Sequence, residues 1–535
     1  MTKSISPANA CQNKRPLLSW AQRGLLLGWS VLLLLLALRS LSWRMVHDLP
    51  ILHVVGWLIS KGRVPYRDLF EMNLPGTWII HVGGQWLFGA DTIGVRLTDL
   101  SWLALTLTAA YVCMRCFGLG MGSALLLGTV YLMGGPMDAL QRDWLMVGPL
   151  LFALAGARWH AHPRMRIVQW SVGGLGLGWA MLIKPQALLL TPLLLGAILW
   201  EWQLTRKTAH SQHTELPHAT TLNSLVWALV VWLLAQLLPL LMAGLALFRW
   251  GALSDFVTLW TQYLGPLYAR LDGDGMELEG GLSVYLSSTQ LLLQSIWHPS
   301  RMVLFGCAVL GSVMLWRSTQ EAPQLRIRLG LLMLFVGYGL LHVVIGVKHW
   351  WYHWWPAYAG LLLLSSGLLL PGRWAGLRWS LFGLYASAVL GIALLERPQE
   401  SKMQTLLEPV DVLVSTLRPQ LQAGDRVQVL DTVGGAQHAA FLLGLEPATS
   451  FLYDFHFFHH REAPFIQALQ QRLMRELEQQ PPRWILMWRT SWSHRQHETD
   501  LALFPALQTW LTAHYTQKAE HPAWIVYERH DRTTP

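Results

Sequence analysis

Charged residues are scarce in this chain. Asp, Glu, Lys and Arg make up 13% of its 535 residues, against about 25% in an ordinary soluble domain. So little charge cannot cover a globular surface, and with 53% hydrophobic residues it excludes a chain dissolved wholly in water. Cysteine is scarce as well. None of Cys11, Cys113, Cys116 and Cys307 falls after position 400, which excludes a disulfide-stapled C-terminal region. Cys113 and Cys116 form a C-x-x-C without a second pair, at the end of an apolar run, and read as small buried hydrophobes. Also missing are a P-loop, a G-x-G-x-x-G after a strand, a G-x-S-x-G and an H-E-x-x-H. Their absence argues against a nucleotide-sugar enzyme of the ordinary soluble type. There is no internal repeat.

What is abundant is tryptophan, with 30 residues, a side chain suited to the membrane interface because its ring is buried while its N–H stays wet. The net charge is +9, but the basic residues are scattered in short loops between apolar runs, which excludes a nucleic-acid-binding face. Apolar runs of spanning length are expected near 24–43, 94–116, 121–135, 144–160, 168–184, 186–202, 222–247, 301–316, 329–347, 356–371 and 379–395, about eleven spans. The first lacks a cleavage site and reads as an uncleaved span. Arg115, Arg158, Arg206, Lys207, Arg317, Arg326 and Arg378 then fall on the cytoplasmic side, and Asp48, Asp68, Glu71, Asp91, Asp138 and Asp143 on the outer side. This parity places the C-terminus outside, provided that 282–297 is an interfacial helix and not a span.

The chain divides into a membrane-embedded part, 1–400, and a soluble α/β domain, 401–535. In the first outer loop, 44–93, the amphipathic stretches 51–60 and 74–88 are expected to be membrane-surface helices. After position 400, strands are expected at 426–431, 450–455, 484–488 and 524–528, with helices at 437–443, 464–480 and 501–512. Histidines at 210, 213 and 218 read as a solvated loop, and His456, His459 and His460 as another.

Charged groups at a membrane boundary are costly and need a reason. Asp48, just after the first span, is near the apolar layer; a raised pKa there would suit a general base. Asp138, Arg142 and Asp143 share the outer mouth of the third and fourth spans. Lys184, Arg270 and Lys348 are cations on the outer side, where they could hold a phosphate. His349 immediately precedes the aromatic run 350–355 and Tyr352 lies in it, and the run could line a groove. Each has a plain alternative: a water-facing acid for Asp48, a helix cap for Asp143, snorkelling for the cations and an interfacial belt for the aromatics.

Taken together, the layout resembles the GT-C superfamily of glycosyltransferases, of the protein mannosyltransferase and aminoarabinose transferase type. Asp48 followed by Gly62-Arg63-Val64-Pro65-Tyr66-Arg67-Asp68 is similar to the loop in which that family carries its catalytic Asp. Pro75-Gly76-Thr77-Trp78 with Gln85-Trp86-Leu87-Phe88-Gly89 resembles its surface helix. Asp143 resembles its second acid, Lys184 in Ile183-Lys184-Pro185 a Lys-Pro step, and Lys348 with Tyr352 and Pro356 a "K…Y..P" step. One departure stands out: Glu71-Met72-Asn73-Leu74-Pro75 lacks the lysine usual before the proline, a position that Arg63 or Arg67 could fill, and this argues against aminoarabinose as the sugar. The resemblance implies a GT-C fold and a hexosyl- or pentosyltransferase in the bacterial inner membrane, with its C-terminal domain periplasmic. It would take sugar from a polyprenyl-phosphate carrier and pass it to a lipid, glycan or protein acceptor. No redox cofactor is implied, and a divalent cation stays open. A transporter or flippase would show charges within its spans; these sit at outer boundaries. The third possibility is a non-catalytic envelope-assembly protein.

Overall fold

The computed structural model of the protein describes residues 20–159, 163–211, 221–278, 280–370, 375–380, 398–490, 492 and 497–530. The expected span at 379–395, apart from its first two residues, and the histidines at 213 and 218 lie outside them.

Its helices are α1 Trp20–Arg39, α2 Leu49–Ser60, α3 Pro75–Phe88, α4 Thr92–Met114, α5 Gly120–Gly134, α6 Arg142–Leu145, α7 Val147–Gly156, α8 Pro163–Ile183, α9 Thr191–Ser211 and α10 Leu222–Arg249. There follow α11 Leu253–Thr258, α12 Leu282–Ile296, α13 Pro299–Ser318, α14 Pro323–Gly346 and α15 Trp355–Ser365. Among the described residues six helical segments are long and apolar enough to cross a membrane: Trp20–Ser42, Thr92–Phe117, Pro185–Lys207, Leu222–Arg249, Pro299–Ser318 and Pro323–Gly346. This is a multi-pass membrane protein. The spans expected at 121–135, 144–160 and 356–371 form shorter helices than that expectation implies. α5 has 15 residues, α7 has 10 and α15 has 11, and at 1.5 Å per residue none matches a hydrocarbon layer of about 30 Å.

Two sequence features shape the helical part. Gly178 of α8 lies so close to α10 that a Cβ there would come within 2.1 Å of the Gln236 carbonyl oxygen. Small residues of this kind let two helix backbones approach in lipid, where dispersion holds helices together. The second feature is a buried polar knot. Asp99 takes Arg96 and the Tyr131 hydroxyl, and also accepts from the Leu140 N–H at 3.0 Å. That last bond ties the loop before α6 to α4 and so sets where Asp138 and Arg142 stand.

The loop at 44–93, labelled the outer loop for the side expected of it, folds into the short helices α2 and α3. Gly89 at φ 90° ends α3, and the Asp91 side chain caps α4 through the Gly94 N–H at 2.7 Å.

The C-terminal part holds α16 Pro398–Leu417, β1 Arg426–Leu430, α17 Ala436–Leu442, β2 Glu446–Pro447, α18 Pro464–Gln479, β3 Trp484–Trp488, α19 His497–Ala502, α20 Pro505–His514, β4 Tyr515–His521 and β5 Trp524–Arg529. The sheet order is β2-β1-β3-β5-β4, with β2, β1 and β3 parallel and the last two pairs antiparallel. Alternation along β3 divides its side chains between two cores. Trp484, Leu486 and Trp488 pack with Val410 and Leu413 of α16. Ile485 and Met487 join a core that also holds Ile51, Val54 and Leu58 of α2 and Leu69 and Phe70 of the outer loop. The sheet domain is thus built onto the outer loop by shared apolar burial.

The strand expected at 450–455 is absent. Ser450 N–H goes to the Glu476 carboxylate at 2.7 Å, and the Ser450 carbonyl accepts from Phe70 N–H at 2.8 Å. With its backbone bonded to a helix and to the outer loop, the segment has no strand to pair with, and Phe451, Tyr453 and Phe455 are all buried. β4 was not expected, because its residues are mostly exposed and polar.

Candidate active site

A cavity of about 610 Å³ opens where the helical part meets the sheet domain. Three segments build its polar wall: the turn after α1, the start of α6, and the loop between α14 and α15. From the sheet domain, Thr432 and Gly434 after β1 and Thr490 and Trp492 after β3 complete it. These are the carboxyl ends of two parallel strands, the usual place for a ligand crevice in such sheets. Asp431 shapes the first of these loops by accepting from the N–H groups of Gly434, Gly435 and Ala436 at 2.8 to 2.9 Å.

Asp48 lies on the cavity wall with its Oδ1 3.2 Å from His47 Nδ1, while its Oδ2 is buried without a protein partner. The expectation of a raised pKa is reversed. Burial opposes its charge, but His47 and Arg142 outweigh that and hold the carboxyl at about 2. Asp48 therefore rests ionised. The backbone around it is unusual. His47 at φ 57°, Val347 at φ 58° and His349 at φ 51° all line the cavity in the left-handed region. For a β-branched residue such as Val347 this conformation is rare, and strain of this kind gathers at functional sites.

Arg142 reaches the cavity from the first turn of α6. Its Nη1 donates to Asn73 Oδ1 at 2.7 Å, and its Nε is buried without a partner. Tyr268 and Tyr352 stand beside it on the same wall. Lys348 lines the cavity from the loop after α14. Its Nζ donates to the carbonyls of Leu271 at 2.6 Å and Tyr268 at 3.3 Å, and sits 4.3 Å from the Tyr268 ring centre. Burial lowers its pKa to about 7, with Asp272 working the other way. Tyr352 and His349 also face the cavity, and His349 Nε2 shares a hydrogen bond with Ser288 at 2.8 Å.

The remaining predicted residues lie elsewhere. Asp143 is fully buried behind the wall, accepting from Lys184 Nζ at 2.8 Å and facing His342 Nε2 at 2.6 Å. Lys184 is spent on that pair and does not line the cavity; Pro185 keeps it extended at φ −145° and ends α8 there. Asp138 accepts from Trp351 Nε1 at 3.2 Å and Trp355 Nε1 at 3.0 Å, so it anchors the aromatic run from behind and is no part of a groove. Burial raises its pKa to about 6, the two indoles opposing. Arg270 is exposed on a short turn outside the cavity. Arg63 and Arg67 line a separate recess of about 220 Å³ with Asp68, Arg472 and Glu476. Arg67 is occupied there by Asp68 at 2.8 Å and the Trp250 carbonyl at 2.9 Å. Neither arginine fills the place of the absent lysine.

Sequence reasoning missed His342, Asn73, Tyr268 and Trp492. His342 had a signal, being a polar ring inside the apolar helix α14. Trp492 had none: its indole donates to the Gly273 carbonyl at 3.0 Å, a contact across 219 residues. Among the described residues no cluster of three or more His, Cys, Asp or Glu has the arrangement to hold a metal ion.

No protein-family model matches the sequence, and no curated protein matches it. Solved structures do match the fold. ArnT from Cupriavidus metallidurans bound to undecaprenyl phosphate aligns with a TM-score of 0.53 at 15% identity, covering 94% of this chain and 98% of that one. The same protein in the apo state aligns at 0.53 and 14% identity, covering 95% and 98%. At such identities the likeness bears on architecture alone, and this chain shares that architecture: a multi-pass helical membrane part carrying a small C-terminal sheet domain.

Proposed function

We propose that this chain is a membrane glycosyltransferase that takes a sugar from a polyprenyl-phosphate carrier and transfers it to a lipid, glycan or protein acceptor on the outer face of the bacterial inner membrane. The observation that carries this reading is the meeting of Asp48, with an unpartnered carboxylate oxygen, and the cations Arg142 and Lys348 around one cavity beside the helix ends. The likeness in fold to an ArnT that binds undecaprenyl phosphate supports the donor class. A carrier lipid holds each CH₂ in the bilayer by about 0.8 kcal/mol, so its phosphate must be met at the boundary where these residues stand.

The reaction is a displacement at the anomeric carbon. The acceptor oxygen forms a bond to that carbon as the bond to the phosphate oxygen breaks. The acceptor proton passes to Asp48 Oδ2, and polyprenyl phosphate leaves with the electron pair. Arg142 and Lys348 stabilise the charge that grows on the phosphate oxygens, in a site where fixed cations act more strongly than in water. At a resting pKa of about 2, Asp48 is a weak base. The donor phosphate changes that: it draws on Arg142, adds negative charge nearby, and raises the affinity of Asp48 for a proton. Asp143, paired with Lys184 and His342, organises the wall from behind. The sheet domain, 401–535, closes the cavity on the outer side and faces the acceptor.

The test is to incubate the purified chain in lipid with a panel of radiolabelled polyprenyl-phosphate sugars and follow release of the free carrier phosphate. Release by the wild type that is lost in Asp48→Asn supports the reading; no release from any donor removes it.

A further inference from the structure

The outer loop brings no cation to the cavity between Glu71 and Pro75, yet it touches the cavity through Met72 and Asn73. Resting on the glycosyltransferase reading, we infer that Asn73, braced by Glu71, is a positioning residue that aims Arg142 at the donor phosphate without consuming its charge.

The orientation of the Asn73 amide follows from its neighbours. Arg142 can only donate, so the amide oxygen faces Nη1, at 2.7 Å. The amide nitrogen then faces Glu71 Oε1, which also accepts from the Asn73 backbone N–H at 2.6 Å. The Asn73 carbonyl accepts from the Tyr66 hydroxyl at 2.6 Å, and that hydroxyl also receives Trp78 Nε1 at 3.3 Å. Asn73 is thus held at backbone and side chain, leaving its Oδ1 to face Arg142. Glu71 itself is buried, with 1% exposure.

The chemistry explains why the acceptor is neutral. Arg142 stands in the field of both Asp48 and Asp143. A guanidinium with no fixed acceptor would turn onto one of them and away from the donor phosphate. An aspartate in place of Asn73 would hold Arg142 but cancel its charge. The amide oxygen fixes one corner of the fork and leaves the cation whole. The Nε donor, buried without a partner, stays available for an oxyanion.

The experiment measures donor KM and kcat, and binding of polyprenyl phosphate, on the full chain. The variants are Asn73→Ala, Asn73→Asp, Arg142→Ala, Asn73→Ala with Arg142→Ala, Glu71→Leu and Glu71→Gln, each with a thermal unfolding check. Asn73→Ala and Asn73→Asp are expected to raise KM and Kd by about tenfold, the size of one charge-assisted hydrogen bond, with kcat changed by less than about threefold. In the Arg142→Ala background Asn73→Ala should add nothing, which a merely structural role would not produce. Glu71→Gln should restore most of what Glu71→Leu loses. Where Asn73→Ala does not fold, the near-isosteric Asn73→Asp carries the comparison. Wild-type KM and Kd in the Asn73 variants, with Arg142→Ala weakened, overturn the inference and leave the function standing. A wild type that neither binds polyprenyl phosphate nor transfers sugar removes both.

Discussion

His342 Nε2 lies 2.6 Å from Asp143 Oδ1 across 199 residues of chain, and Lys184 Nζ meets the same oxygen at 2.8 Å. Three ionisable groups from three helical segments thus share one buried point behind the cavity wall. Removing one member leaves another buried and uncompensated, at a cost of about 3–5 kcal/mol. Asp143→Asn should therefore lower the thermal unfolding temperature of the purified protein, and adding Lys184→Met should recover much of the loss. An unchanged transition in the single variant would contradict this arrangement.

Asp48 is predicted to behave differently, since it faces open cavity. Asp48→Asn should reduce kcat by about 10²–10⁴ while the unfolding temperature stays close to wild type. The comparison of turnover with stability in the two acid variants separates a chemical role from a supporting one.

Donor binding should weaken as pH rises through about 7. Lys348, with its pKa lowered to about 7, is a cation below that point and neutral above it. Glu71, raised to about 7 by burial and held back by its bonds to Asn73, gains negative charge over the same range and acts in the same direction. Asp48, at about 2, stays ionised throughout and contributes no change. Asp272 favours the charged lysine, while Arg142 and Lys184 disfavour it. A pH series of donor KM is expected to rise across neutrality, and Lys348→Arg to flatten it in part.

The contact between α8 and α10 has no room for a larger side chain at Gly178, where a Cβ would meet the Gln236 carbonyl at 2.1 Å. Gly178→Leu should separate the helices and destabilise the protein by about 1–3 kcal/mol. Thermal unfolding measures it, with Gly244→Leu, open on all sides, as the control expected to have little effect.

The proposed sidedness is open to a direct labelling test. Ser415 is exposed on α16 of the sheet domain. A membrane-impermeant thiol reagent added to intact spheroplasts should modify Ser415→Cys without lysis. Labelling only after lysis would place the domain on the cytoplasmic side.

The local pattern of the chain determined its class of fold. Long apolar runs must lie in lipid; the expected helices at 222–247 and 301–316 lie within α10 and α13, and the one at 329–347 falls on α14, which ends one residue earlier. The strands β1, β3 and β5 and the short helices α2 and α3 were legible for the same reason, because period and composition act over neighbouring residues. The position of Asp48 just after the first span was readable too. Its charge state was not, since His47 and Arg142 outweigh the burial that the sequence suggests. Nor could local pattern tell Lys348, which faces the cavity, from Lys184, which is held behind it, for both are cations at helix ends. Only tertiary structure separates them, because a hydrogen-bond partner such as Asp143 for Lys184, 41 residues away, or Asn73 for Arg142, 69 residues away, is chosen by packing and leaves no periodic trace in the chain.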